Sequence, residues 1–62
     1  MTIVALIGRL REEYTAMPGL RLTAMQAARL WALDQQVCSN VLTTLVEMRF
    51  LVRTRDAFVR AE

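Results

Sequence analysis

The sequence contains no histidine and no lysine, and only one of its 62 residues is cysteine. A single thiol excludes an internal disulfide, and without histidine it argues against a structural zinc site, which needs four such ligands. A lone free cysteine is typical of a reducing compartment, so we expect a cytoplasmic protein. Histidine is also the commonest acid–base catalyst, and the isolated Gly8 and Gly19 form no phosphate-binding loop. We therefore expect no enzymatic activity, no metal and no cofactor.

The short chain leaves room for one domain with one hydrophobic core. A protein of this size buries roughly 60% of the surface that its unfolded chain exposes, so its stability depends on good packing or self-association. The hydrophobic share of 55% exceeds the usual ~45–50% and excludes a disordered chain. Residues 1–7 are apolar but are followed by Arg9, Arg11, Glu12 and Glu13. This pattern predicts neither a signal peptide nor a membrane span.

All eight basic residues are arginine, and the net charge is +2. Four of these arginines and a single aspartate lie between residues 49 and 60, so positive charge concentrates in that part of the chain. Arginine makes forked contacts to phosphate that lysine does not make. The segment is therefore a candidate surface for contacts to phosphate.

A first amphipathic helix is predicted before the strongest break in the chain, Pro18-Gly19. Upstream of that break, apolar side chains recur every three or four residues, which indicates a helix over about 3–16 with Thr2 as its N-cap. Gly8 inside this helix costs roughly 1 kcal/mol relative to alanine. After the break, residues 20–22 have the character of a short extended segment.

The second helix is predicted over about 24–31, because Thr23 and Gln26 form a capping box at its start. Its sequence is apolar on most sides, so we expect the helix to be buried, with only Gln26 and Arg29 facing water. We also expect Trp31 to belong to the core or to a dimer contact.

Asp34 is a strong N-cap for a third helix over about 35–48. Its apolar side chains, including Cys38, gather on one side, and its polar side chains gather on the other. The chain then changes period, and two β-prone runs separated by Arg55-Asp56 predict a short hairpin over about 50–60. The predicted order is helix, short strand, helix, helix, hairpin.

The second and third helices are joined by about three residues, which is the helix-turn-helix arrangement. Residues 22–54 read LTAMQAARLWALDQQVCSNVLTTLVEMRFLVRT. This stretch resembles the winged helix-turn-helix DNA-binding domains of prokaryotic regulators, which often have glycine where this chain has Ala32 and Arg49, and again in the turn of the wing. The resemblance implies a single domain over residues 1–62, mainly α with a small β-hairpin: a three-helix winged helix-turn-helix.

The resemblance also implies that the third helix enters the major groove of duplex DNA and that the hairpin, or wing, lies on the backbone. We expect a small transcriptional regulator that binds DNA at specific sequences or architecturally. Amide and hydroxyl side chains pair with base edges, and the expected base-reading residues are Gln35, Gln36, Ser39, Asn40 and Thr43. Guanidinium groups contact the backbone, and the expected phosphate contacts are Arg21, Arg29, Arg53, Arg55 and Arg60.

A second copy of the chain is the other expected partner, because the apolar share is high for so short a sequence. The first helix is the expected dimer element, through an apolar face made of Ile3, Val4, Ile7 and Leu10. No small-molecule ligand is expected, since one small domain accounts for the whole sequence.

The same features allow a second hypothesis, in which the winged helix is a protein-contact or dimerisation module that does not bind DNA. A polar helix face is often merely solvated, and Arg21 and Arg29 could pair with acidic side chains instead of phosphate. The third helix is acidic at both ends, and Val46 falls on its polar side. These features favour a protein partner.

Overall fold

The computed structural model describes residues 2–61 of the chain. Its helices are α1 (Ile3–Ala16), α2 (Ala24–Leu30) and α3 (Gln35–Glu47), and its strands are β1 (Arg21–Thr23), β2 (Leu51–Thr54) and β3 (Ala57–Arg60). The strands form one antiparallel sheet in the order β1-β3-β2. The predicted fold class is confirmed, because three helices and a small hairpin adopt a winged helix-turn-helix layout. The extended segment before α2 is a strand that joins the hairpin.

Side-chain caps explain where each helix begins. The hydroxyl of Thr2 accepts a hydrogen bond from a backbone N–H in the first turn of α1. Thr23 and Gln26 each accept from the other's backbone N–H, which is the predicted capping box of α2. One carboxylate oxygen of Asp34 accepts from two backbone N–H groups in the first turn of α3. These bonds satisfy donors that have no partner within the helix, so the local sequence fixes the three starting points.

Helix α2 ends in a Schellman motif that turns the chain toward α3. The N–H of Leu33 donates to the carbonyl of Ala28 at 2.9 Å, and the N–H of Ala32 donates to the carbonyl of Arg29 at 3.4 Å. Ala32 therefore has a φ of 53°, in the left-handed region where a Cβ atom is unfavourable. Ala32 therefore adopts the left-handed conformation that glycine usually adopts at the end of a helix.

Helix α3 ends in the same way. The N–H of Phe50 donates to the carbonyl of Leu45 at 3.0 Å, and the N–H of Arg49 donates to the carbonyl of Val46 at 2.9 Å. Arg49 has a φ of 63°. The motif satisfies the last carbonyls of α3 and directs the chain at once into β2.

Substituting Ala32 by glycine is expected to stabilise the protein. The left-handed conformation costs an alanine about 1–2 kcal/mol. Glycine avoids this cost, but on folding it loses about 0.5–1 kcal/mol more in conformational entropy than alanine does. The expected gain in the free energy of unfolding is therefore about 0.5–1 kcal/mol, measured by urea denaturation. Ala5→Gly, at an exposed position of α1, is the matched control and is expected to lose about 1 kcal/mol. Equal losses for both variants would contradict the strain at Ala32.

Tyr14 lies at the centre of the core. Its side chain is 0% exposed, and its hydroxyl donates to the backbone carbonyl of Phe58 at 2.9 Å. Its ring lies 6.4 Å from the ring of Trp31 in a tilted arrangement. One side chain therefore joins α1 to β3 and to the end of α2. Among residues 2–61, the other large side chains that are fully buried are Leu10, Cys38, Val41, Leu42, Leu45 and Leu51. The core positions predicted for Cys38 and, with its slight exposure, Trp31 are confirmed.

The prediction that helix α2 is buried on most sides is wrong. Met25 is 59% exposed and Leu30 is 58% exposed, whereas Ala27 and Ala28 are buried. The helix has only seven residues and packs against α3 and β1, so a narrow side made of two alanines is sufficient for the contact. A composition that is apolar all round does not imply burial in a helix of two turns.

Two of the apolar side chains that the sequence predicts on the dimer face of α1 are buried or partly buried within the chain. Leu10 is fully buried, and Ile7 is partly buried and packs against the core. Half of the apolar face expected to hold a second copy is therefore covered by the chain itself. Val46, expected on the polar side of the third helix, also packs against the core. The reason is that α3 is contacted by α1, α2 and β2, which together cover a wide arc of its surface.

Stability is expected to fall in alkaline solution. Burial, reinforced by nearby Cys38, raises the pKa of Tyr14 from 10.0 to about 12, and burial raises the pKa of the Cys38 thiol above 9.0. The folded state holds both protons more tightly than the unfolded chain, so the stabilisation is complete below about pH 9 and is lost as the pH rises toward the folded pKa values. The chain has no lysine, a residue type that would also titrate in this range. Denaturation curves at increasing pH measure the effect, and Tyr14→Phe is expected to remove the part above about pH 10. A free energy of unfolding that stays constant into strong alkali would contradict this prediction.

Candidate nucleic-acid interface

The outer face of α3 presents four of the five predicted base-reading side chains in exposed positions: Gln35, Gln36, Asn40 and Thr43. Ser39 is half-buried. The Nε2 atom of Gln36 donates to Oδ1 of Asn40, one turn further along, at 3.2 Å. This bond orients both amides and leaves the Nδ2 donors of Asn40 and the Oε1 acceptor of Gln36 available. The face therefore offers donors and acceptors at neighbouring positions, which is what recognition of a base edge requires.

The face of α3 carries no positive charge. No basic residue lies between residues 35 and 47, the carboxylate of Asp34 is engaged in capping, and Glu47 is exposed. Such a surface can select bases by hydrogen bonding but contributes no electrostatic affinity for phosphate. Attraction to a nucleic acid must come from arginines elsewhere in the fold.

Arg55 stands at the tip of the hairpin. Thr54 and Ala57 are paired in the sheet, so Arg55 and Asp56 form a two-residue loop. Arg55 has a φ of 58°, and Asp56 has no positive φ, which is the pattern of a type II′ turn whose first position favours glycine. The arginine occupies this position at a conformational cost and is exposed.

Arg53 lies opposite Phe58 in the register of β2 and β3. Its guanidinium carbon is 5.8 Å from the centre of the Phe58 ring, a cation–π contact that orients the side chain and leaves its N–H groups for other acceptors. Arg53 is exposed. Arg53 and Arg55 therefore follow one strand toward the tip of the hairpin.

Arg60 is at the opposite end of the hairpin, where it pairs with Leu51. Its Nη1 atom donates to the carbonyls of Phe50 at 3.4 Å and Ala61 at 3.0 Å. Its guanidinium carbon lies 4.1 Å from the centre of the Phe50 ring, and that of Arg11 lies 5.4 Å from the same centre. The guanidinium of Arg60 is thus engaged within the chain, away from the tip that Arg55 occupies.

Arg21 and Arg29 are exposed on other elements. Arg21 pairs with Val59, which in turn pairs with Val52, so the three side chains form a row on the sheet face opposite Phe58. Arg29 lies in the last turn of α2, where a cation is stabilised by the helix dipole. The structure therefore brings Arg53 and Arg55 together but places Arg21, Arg29 and Arg60 on separate elements.

Arg49 is an exposed arginine that the sequence prediction did not include in the site. It sits between the end of α3 and the start of β2, in the left-handed conformation described above. The sequence contains an indication of this role. Glycine is the usual residue just after the end of a helix, so an arginine at this position adds a positive charge at a conformational cost. Arg49, Arg53 and Arg55 all lie on or beside β2, an edge strand of the sheet.

Residues 2–61 contain neither a metal-binding cluster nor a helix that could span a membrane. No three histidine, cysteine, aspartate or glutamate side chains gather there at a spacing that could hold a metal ion. None of the helices described combines the length and apolar character that a bilayer crossing needs. In comparisons with known proteins, the chain matches no family model, no curated protein and no solved structure.

Proposed function

We propose that this chain is a small duplex-DNA-binding module of the winged helix-turn-helix type, acting in transcription regulation. In this proposal α3 enters the major groove, and the β2–β3 hairpin lies on the backbone. The observation that supports it is the combination of an exposed, hydrogen-bonding, uncharged face on α3 with exposed arginines along the strand that directly follows α3. The single buried thiol of Cys38 fits the reducing cytoplasm in which such a regulator would act.

The different roles of α3 and the β2–β3 hairpin in this proposal follow from the chemistry of their side chains. An α-helix with its side chains is about 10–12 Å across and fits a major groove about 12 Å wide. The amides of Gln36 and Asn40 suit adenine, whose edge presents an adjacent donor and acceptor. Arg53 and Arg55, with Arg49 at the base of the strand, supply the charge that α3 lacks. Affinity in this arrangement comes from the hairpin, and selectivity comes from α3.

Binding of the intact chain to random-sequence duplex DNA tests the proposal. Fluorescence anisotropy at low and moderate salt is expected to show weak binding that decreases as salt increases, because each neutralised phosphate releases counterions. A specific site can then be selected from a random pool. In Asn40→Ala, the ratio of the affinity for this site to the affinity for random DNA is expected to fall by about tenfold. Absence of binding even at low salt would contradict the proposal.

A protein-contact function is the second candidate, and the exposed apolar side chains around the helix-turn-helix favour it. Met25 and Leu30 on α2 are exposed, and so is Val37 on α3. A surface that only contacts DNA has no need for these side chains, whereas a protein interface uses them in its apolar centre. Failure of the chain to bind duplex DNA at low salt would favour this second function.

A further inference from the structure

Gly8 has no explanation within the folded chain. It lies in the middle of α1, where glycine destabilises a helix relative to alanine. Within the part of the chain that the structure describes, a methyl group at this position would meet no heavy atom within 4 Å beyond the backbone of its own helix. Gly8 has no positive φ either. Neither close packing nor backbone conformation inside this chain requires a glycine.

A groove of about 500 Å³ lies over Gly8 on the outer face of α1. Among residues 2–61, those that line it all belong to α1: Gly8, Arg11, Glu12, Thr15 and Ala16. The positions 8, 12 and 15 follow the spacing by which one helix presents a stripe to another. The groove is therefore an open helix face with its smallest residue near one end and a pair of opposite charges at its middle.

We infer that a second copy of the chain occupies this groove, with the two α1 helices antiparallel and related by a two-fold axis between positions 11 and 12. In such an isologous interface, residue i contacts residue j, and j contacts i. Arg11 of each copy then faces Glu12 of the other. Gly8 of each copy faces Thr15 of the other, where the missing side chain lets the two backbones approach closely.

Charge complementarity selects a second copy as the occupant. The antiparallel pair forms two ion pairs, because Arg11 of each copy faces Glu12 of the other. A helix that carried charges of one sign would attract one of these side chains and repel the other. The arrangement also places Val4, which is 74% exposed, beside the Pro18-Gly19 turn of the second copy. It uses the side of α1 that faces away from Leu10. The Arg11 guanidinium also lies 5.4 Å from the centre of the Phe50 ring in its own chain, and such a contact through the ring face leaves its N–H groups for Glu12 of the second copy.

The size of the contact sets its strength. Each α1 has 14 residues and is about 21 Å long, so a single helix pair lies at the small end of specific interfaces. We therefore expect a weak dimer that forms at micromolar to millimolar concentration. The dimer does not depend on DNA binding, so it goes beyond the proposed function; if the chain does bind DNA, the dimer predicts inverted-repeat sites.

Sedimentation velocity of the full chain without DNA, from micromolar to millimolar concentration at low salt, tests the inference. Wild type is expected to shift from monomer to dimer across this range. Arg11→Glu is expected to weaken association by about tenfold or more, because it creates two contacts between like charges. The double variant Arg11→Glu/Glu12→Arg is expected to restore the wild-type affinity, and Arg9→Glu, which changes the charge outside the groove, is the matched control.

Gly8→Ala is an independent test, because it is expected to stabilise the monomer and to weaken the dimer. The melting temperature of the monomer, measured at low concentration, is expected to rise by about 4–8 °C because the helix gains propensity. Dimer affinity is expected to fall by about tenfold because a methyl group enters the helix crossing. A wild type that stays monomeric up to millimolar concentration, or a dimer that the charge exchange does not restore, overturns the inference. Neither result depends on whether the chain binds DNA.

Discussion

In Tyr14→Ala, a large fraction of the molecules is expected to be unfolded at room temperature. Truncating a buried aromatic side chain costs about 3–5 kcal/mol, and a domain of this length has a free energy of unfolding of about 3–9 kcal/mol. The loss is large here because Tyr14 is fully buried and joins α1 to β3 and to the end of α2. Circular dichroism during urea denaturation measures the change.

Tyr14→Phe separates the hydroxyl from the ring. It keeps the packing against Trp31 and removes only the donor to the Phe58 carbonyl, so the expected loss is about 1–2 kcal/mol. Thr15→Ala is the matched control, because it removes a hydroxyl that also donates to a backbone carbonyl but is exposed; its expected effect is under about 0.5 kcal/mol. If Tyr14→Phe were as stable as wild type, the hydroxyl would not connect α1 to the hairpin.

Removing the two guanidinium groups nearest the hairpin tip is expected to have the largest effect on DNA binding. Arg53→Ala/Arg55→Ala is expected to weaken binding to duplex DNA by about ten- to a hundredfold at low salt. The slope of log affinity against log salt is expected to become shallower by about two, because each lost phosphate contact contributes about 0.9. Anisotropy titrations at several salt concentrations give both quantities.

Arg9→Ala is the reference for the double variant, because it removes one positive charge from an exposed position on α1. Its effect measures the loss of overall charge without loss of a hairpin contact, and it is expected to change the slope little. A double variant that binds like wild type would contradict phosphate contacts by these arginines, and protection of the edge strand β2 from pairing with other chains would be the alternative role to test.

The sequence alone predicted the elements whose signals are local. Thr2, Thr23 and Asp34 cap their helices through bonds that span two or three residues, so their effect does not depend on the rest of the fold. The exposure of α2 depends on which other elements cover it, and the apolar character of Met25 and Leu30 contains no information about those neighbours. The same limit applies to Leu10 and Val46, whose burial is set by helix packing.

The candidate site was predictable to a similar extent. The polar stripe on α3 follows from helical spacing, and the structure places most of it on the surface. The arginines were harder to predict, because composition identifies a charge but not the direction in which its side chain extends. Arg60 turns to the carbonyls of its own chain, and the absence of glycine at position 49 indicates a conformational cost without indicating what the arginine contacts.

The strand order has a consequence for how the protein folds. Strand β3 lies between β1 and β2 in the sheet, yet it comes last of the three along the chain. Pairing Leu22 with Phe58 closes a long loop that contains α2, α3 and β2, and closure of such a loop is a slow, entropically costly event. The helices can form on a ribosome from contacts already made, but neither outer strand has a neighbour until β3 has emerged. The hairpin and the surface it completes are therefore the last part of this fold to form.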